Sequence, residues 1–137
     1  MQTQRVLDEF KNEPFTDFSK PENAEAMKAA LEKVRGELGR DHPVVIDGEK
    51  ITFDSKFKSY NPANKEEVVG VFSEVDDEVE LVEKAISAAS EAFKSWRNVP
   101  PAERAEYLFK AAEVMRKRKH ELSAWMVFEV AKTWAEA

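Results

Sequence analysis

Apolar residues follow two different periods along this chain of 137 residues: three-four spacing towards both ends and strand-like alternation between. Ala24, Met27, Leu31, Val34 and Leu38 recur at intervals of three and four, which sets them on one side of a helix. Ser19 with Glu22 three residues on is the reciprocal cap that opens such a helix, and Gly39 offers a left-handed exit, so a helix is predicted over 19–38. Ahead of it, residues 1–18 read as an irregular arm in which Pro14 holds Glu13 extended.

Over 43–73 the period becomes that of strands, and two β-hairpins are predicted. In Val44-Val45-Ile46-Asp47-Gly48-Glu49-Lys50-Ile51 the Asp-Gly pair supplies the positive backbone angles of a two-residue turn. A second pair, Phe57 to Tyr60 and Val68 to Ser73, joins through Asn61-Pro62-Ala63-Asn64, where proline and the asparagine side chains favour a turn. A sheet this small needs an apolar cover to be stable.

Helical spacing returns over 77–97, opened by Asp77 and Glu80 and carrying Val79, Val82, Ile86, Ala89, Phe93 and Trp96. That face is expected to be buried. Fewer than three heptads, with bulky Phe93 and Trp96, suit a globular core better than a coiled-coil seam, and Ala85, Ala88 and Ala92 form a flank that another backbone can approach closely. After Pro100-Pro101, helix is predicted over 101–137, with a bend in the run Arg116-Lys117-Arg118-Lys119-His120. Thr133 to Ala137 carries no stop signal, so the helix is expected to continue to the last residue and the chain to read as truncated there.

Charge narrows the function classes. A net charge of −6 with 35% charged residues disfavours a dedicated nucleic-acid binder, and no apolar run approaches the roughly 20 residues of a membrane span. The first ten residues lack the apolar core of a secretory signal and contain acidic residues foreign to a transit peptide, so a cytoplasmic address is expected. The chain contains no cysteine, which excludes thiol chemistry and disulfides.

Candidate chemistry is sparse. His42 precedes Pro43 in an expected loop and His120 ends the basic run, so two isolated histidines make a zinc or iron site improbable. Ser19, Ser73 and Ser123 lack a base placed by any motif. Glu66-Glu67, Asp76-Asp77-Glu78 and Glu80 are expected where strands end or a helix begins, the latter a place that favours negative charge. Gly36, Gly39, Gly48 and Gly70 form neither a dinucleotide fingerprint nor a P-loop. The basic run reads as a solvated helix face, with contact to phosphates or an acidic partner as the sharper alternative.

Several segments together carry a family resemblance: Asn12-Glu13-Pro14-Phe15, Pro43 with Ile46-Asp47-Gly48-Glu49, Asn61-Pro62-Ala63-Asn64-Lys65-Glu66-Glu67-Val68-Val69-Gly70, Ala92-Phe93-Lys94-Ser95-Trp96, Arg104, Met115-Arg116-Lys117-Arg118-Lys119, Glu121-Leu122 and Glu129-Val130-Ala131-Lys132. The layout resembles the opening of the NAD-dependent aldehyde dehydrogenases, and most closely the branch that oxidises glutamate γ-semialdehyde, in equilibrium with 1-pyrroline-5-carboxylate, during proline breakdown. The resemblance covers nearly the whole chain. One departure is Ala131, where the family usually has glycine.

The resemblance implies an α/β family fold of which residues 19–137 are the N-terminal part of the cofactor domain: a long helix, short antiparallel hairpins, then two or three packed helices, without the nucleotide-binding sheet. It implies cysteine attack on an aldehyde, hydride transfer to NAD and thioester hydrolysis by glutamate-activated water. The nucleophilic cysteine, the base glutamate, the oxyanion asparagine and the cofactor-holding residues belong to stretches beyond Ala137 in such proteins. No catalytic, cofactor-binding or metal residue therefore transfers to this sequence, and no NAD binding is expected of it alone. The expected partner is the remainder of the dehydrogenase chain, in a homo-oligomer when complete, with no nucleic acid and no membrane. Without its covering sheet, the faces Val79 to Trp96 and Leu122 to Phe128 are expected to be left wet, and the isolated chain to fold loosely or self-associate. Two readings compete with this scaffold role: a self-contained module whose helical stripe binds a partner helix, and an anion-binding adaptor using Arg116 to Lys119.

Overall fold

A computed structural model describes residues 9–75 and 79–137. Its elements run α1 (Pro21–Arg35), β1 (Arg40–His42), β2 (Val44–Ile46), β3 (Glu49–Ile51), β4 (Lys56–Asn61), β5 (Asn64–Ser73), α2 (Val79–Trp96), α3 (Pro101–Lys117) and α4 (Lys119–Val130). This is a helix, two small sheets and three helices.

Helix α1 starts two residues later than predicted and without the Ser19–Glu22 cap. Lys20 is the N-cap residue and Pro21 opens the first turn, where no amide is needed. Ser19 instead gives both its backbone N–H (3.0 Å) and its hydroxyl (2.6 Å) to Asp17 Oδ1, so Asp17 takes the acceptor role next to the helix. The helix ends at Arg35, and a turn leads to Gly39, whose φ of 74° makes the left-handed exit.

Hairpin β2–β3 has the predicted turn: Asp47 and Gly48 sit at φ 51° and 78°, pairing Ile46 with Glu49 and Val44 with Ile51. The second hairpin, β4–β5, turns through Pro62-Ala63. Asn61 secures that turn, its side chain accepting the Ala63 N–H (2.9 Å) and donating to Glu67 (2.7 Å). Sequence reasoning missed β1, a polar, exposed three-residue strand that pairs in parallel with β5 and makes the sheet order β1-β5-β4. The register slips between Ser59 and Tyr60, leaving Val69 as the extra residue of β5. Val69 is the strand residue that enters the core.

That core lies between α1 and α4. Met27, Ala30 and Val34 meet Ala124, Phe128 and Val69, with Phe18, Leu31, Leu38, Trp125, Val127 and Trp134 packed around them. Each buried Met, Val or Phe contributes about 1.5–3 kcal/mol relative to exposure. The expectation that Leu122 to Phe128 would lie bare is corrected here, because α1 covers this side of α4. Lys33 on α1 pairs with Glu121 across this seam at 2.9 Å, and Arg118, the N-cap residue of α4, pairs with the same carboxylate from within the helix start.

The single helix expected over 101–137 is broken twice. The first break is the expected bend: Arg118, at φ −103° and ψ 18°, separates α3 from α4. The second overturns the expectation that helix continues to residue 137. Helix α4 stops at Val130, and Ala131 takes the left-handed conformation at φ 54°. Thr133 and Glu136 then form a reciprocal cap. The Thr133 N–H donates to the Glu136 carboxylate (3.1 Å), the Glu136 N–H donates to Thr133 Oγ1 (3.4 Å), and the Ala137 N–H donates to the Thr133 carbonyl (3.0 Å). Residues 133–137 thus close a single hydrogen-bonded turn.

Candidate functional site

The reactive side chains are held in separate structural roles. His42 belongs to β1 rather than to a loop, and its ring stacks on Phe72 at 4.9 Å, which stacks on Phe57 at 5.3 Å. Gly70 makes room for this row, since a Cβ there would lie 3.0 Å from the Phe72 ring and 3.2 Å from His42. His120 lies in the first turn of α4, 6.5 Å from the Phe18 ring. Ser73 Oγ accepts from the Phe53 N–H (3.4 Å), and the Ser123 hydroxyl donates to the Ala137 carbonyl (3.0 Å).

The carboxylates likewise serve as anchors. Glu66 and Glu67 lie inside β5 rather than at a strand end, because β5 begins at Asn64. Glu67 receives the Asn61 amide and lies 4.0 Å from Arg35. Glu80 stands in the first turn of α2, as predicted, whereas Asp76, Asp77 and Glu78 lie outside the described residues, and with them the Asp77 cap. Hydrogen bonds from Arg118 and then Lys33 pull the Glu121 carboxyl down to about 2. Ser19 lowers Asp17, and Lys84 lowers Glu49.

The basic run is largely engaged with its own chain. Arg116 pairs with Glu13 at 2.6 Å, Arg118 with Glu121, and Lys119 reaches the Pro14 carbonyl at 3.5 Å. The N-terminal arm is thereby tied to the α3–α4 corner. Beside it opens an apolar cleft of about 320 Å³, lined by Ala112, Met115, Leu122 and Met126 and edged by Glu13 and Arg116.

The residues present do not fit a dinucleotide. The four glycines sit at a helix C-cap, a strand entry, a hairpin turn and beneath the His42–Phe72 stack, so they do not form one cradle of backbone amides. Among the described residues, no buried side-chain polar atom lacks a partner.

What the structure does present is apolar surface. None of the α2 residues is buried, and Val79, Ile86 and Phe93 are 66%, 61% and 57% exposed. The stripe is left wet, as expected of a chain without the covering sheet, and the burial that its spacing calls for does not occur within these residues. Helix α2 touches the body through its other flank, where Leu81, Ala85 and Ala88 are half-buried and Lys84 pairs with Glu49 at 2.5 Å. Trp96 meets Tyr107 edge-on at 5.5 Å, which joins the stripe to α3 and its exposed Leu108. An uncovered, continuous apolar stripe is a contact surface.

Comparison with known proteins places this architecture. The aldehyde dehydrogenase family model matches residues 50–137. The chain belongs to the aldehyde dehydrogenase family. Within it, the chain is 52% identical over 132 residues to 1-pyrroline-5-carboxylate dehydrogenase 2 of Halalkalibacterium halodurans, covering 96% of this chain and 25% of that one. Among solved structures, a 1-pyrroline-5-carboxylate dehydrogenase from Thermus with bound NAD superposes with a TM-score of 0.88 at 40% identity, over 96% of this chain and 25% of that one. Proline utilization A from Bdellovibrio bacteriovorus superposes with a TM-score of 0.87 at 34% identity, over 93% of this chain and 13% of that one. The chain therefore spans about a quarter of the length of the curated relatives it matches. Among the described residues, no helix is long and apolar enough to cross a membrane.

Proposed function

We propose that this chain is a scaffold segment of an NAD-linked dehydrogenase that oxidises L-glutamate γ-semialdehyde to L-glutamate in cytoplasmic proline catabolism, and that it is catalytically inert alone. The observation that carries the reading is the 52% identity to a 1-pyrroline-5-carboxylate dehydrogenase, sustained over 96% of the chain. The inertness follows from chemistry: with no cysteine among 137 residues, the chain has no thiolate to attack an aldehyde. Its own residues pack α1 on α4, tie the arm to α3 and α4, and hold α2 outward.

The partner in this reading is the remainder of a dehydrogenase chain, which supplies the nucleophile and the NAD site and covers the α2 stripe; the complete protein forms a homo-oligomer. The test is a chimera in which this chain replaces the corresponding quarter of the Halalkalibacterium halodurans enzyme. The expected result is NADH formation from 1-pyrroline-5-carboxylate by the chimera and none by the 137-residue chain. A folded but inactive chimera, or NADH formation by the chain itself, would contradict the proposal.

A further inference from the structure

The structure assigns a role to the Glu13-Pro14 step of the N-terminal arm: it is a strap across the α3–α4 corner that holds the angle between the two helices. The inference goes beyond the scaffold reading and does not depend on it, because every group of the strap lies among the described residues.

Two adjacent arm residues hold one helix each. Glu13 Oε1 accepts from Arg116 Nε at 2.6 Å, in the last turn of α3, and the Pro14 carbonyl accepts from Lys119 Nζ at 3.5 Å, at the first residue of α4. The break at Arg118 lies between the two attachment points. The strap is stiff, because Pro14 fixes its own φ and holds Glu13 extended. Its root is firm as well: the Asp17 carbonyl accepts the Asn23 amide of α1 at 2.9 Å, and the Phe18 ring packs on the core, edge-on to Trp134 at 5.5 Å. The arm therefore runs from the start of α1 to the corner as a brace among three helices.

The backbone of the corner leaves room for such a brace. Met115 to Glu121 contains no glycine or proline, and Arg and Lys are good helix formers, so propensity alone favours one continuous helix through Arg118. The grip of Glu121 on Arg118 and Lys33 ties the start of α4 to α1 without reaching α3. Glu13 and Pro14 reach both sides of the break.

The strap is also reversible. The side chains of Glu13 and Arg116 are 59% and 62% exposed, and an ion pair this open to water contributes little enough to open and close. Glu13 edges the apolar cleft of Ala112 and Met115 on α3 and Leu122 and Met126 on α4, so the angle held by the strap also sets the width of that cleft.

Distances between two spin labels test the strap, since a chain without cysteine takes a pair of introduced ones without background. Lys110→Cys on α3 and Glu129→Cys on α4 replace exposed residues outside the strap. A straight helix would separate these positions by about 28 Å along its axis, and the strapped corner is expected to give one narrow distance shorter than the straight helix would. Glu13→Gln is expected to lower the population at that distance, relative to displaced ones, by about two- to fivefold. Glu13→Lys, which sets like charges together, is expected to lower it further. Combining Glu13→Lys with Arg116→Glu is expected to restore the narrow distribution, which damage to the arm's folding would not allow. An unchanged distribution in Glu13→Gln and Glu13→Lys, or a charge-exchanged chain that stays broad, would overturn the proposal.

Discussion

Two helix pairs of this chain differ in a way that composition does not foretell. Helices α1 and α4 close on each other around Met27, Val34, Ala124 and Phe128, whereas α2 and α3 bury no residue at all. Yet α2 carries the more regular apolar stripe of the four, and α1 is rich in charge. Amphipathic spacing specifies that a face will be covered; which element covers it depends on what the chain brings near. Helix α1 is brought to α4 by the strand system, through Val69 and the Gly39 N–H bond to the Val69 carbonyl at 3.1 Å. Helix α2 meets β2 and Glu49 on its alanine flank and Tyr107 of α3 at Trp96.

The largest expected effect breaks the buried pair. Met27→Ala, at a fully buried position, is expected to cost about 2–5 kcal/mol in urea unfolding. The matching truncation Ile86→Ala, on the exposed stripe, should change the stability of the dilute chain by about 0.5 kcal/mol or less. Equal costs at the two positions would erase the distinction.

Smaller changes sharpen it. Ala131 occupies a left-handed position that disfavours a Cβ, so Ala131→Gly is expected to raise stability by about 1 kcal/mol, read as a shift of the urea midpoint. Glu121, held first by Arg118 at the start of its own helix and then by Lys33 of α1, makes this region pH-sensitive. Its folded pKa, about 2, lies below the ordinary value of 4.5, so its contribution is present above about pH 4.5 and is lost as pH falls towards 2. Glu121→Gln should therefore flatten the acid loss of stability across that window, and an unchanged acid profile would remove the link. Lys84→Ala, which frees α2 from Glu49 at an exposed site, should leave the urea midpoint nearly unchanged.

Local chemistry was legible wherever a few adjacent residues decide the backbone. Asp47-Gly48 dictates its turn, Asn61-Pro62 the next, and the apolar row from Met27 to Val34 its buried face. The bend within the basic run was also readable, and it falls at Arg118. Less was legible where partners are distant. Strand β1 is three polar residues whose pairing exists only because β5 lies alongside. The end of α4 was missed because Ala131 hides a conformation that glycine would have announced, and Thr133-Trp134-Ala135-Glu136 carries a capping signature that was passed over. The spacing of α2 marks a face to be covered without saying by what, and among the described residues that face stays exposed, with Tyr107 meeting it at Trp96.

Residue-resolved hydrogen exchange on the dilute chain is the most direct test of this division. Amides in α1 and α4 are expected to exchange only with global unfolding, while those in α2 and α3 exchange through local opening at much lower free energy. Equal protection of all four helices at the lowest concentration would contradict the account.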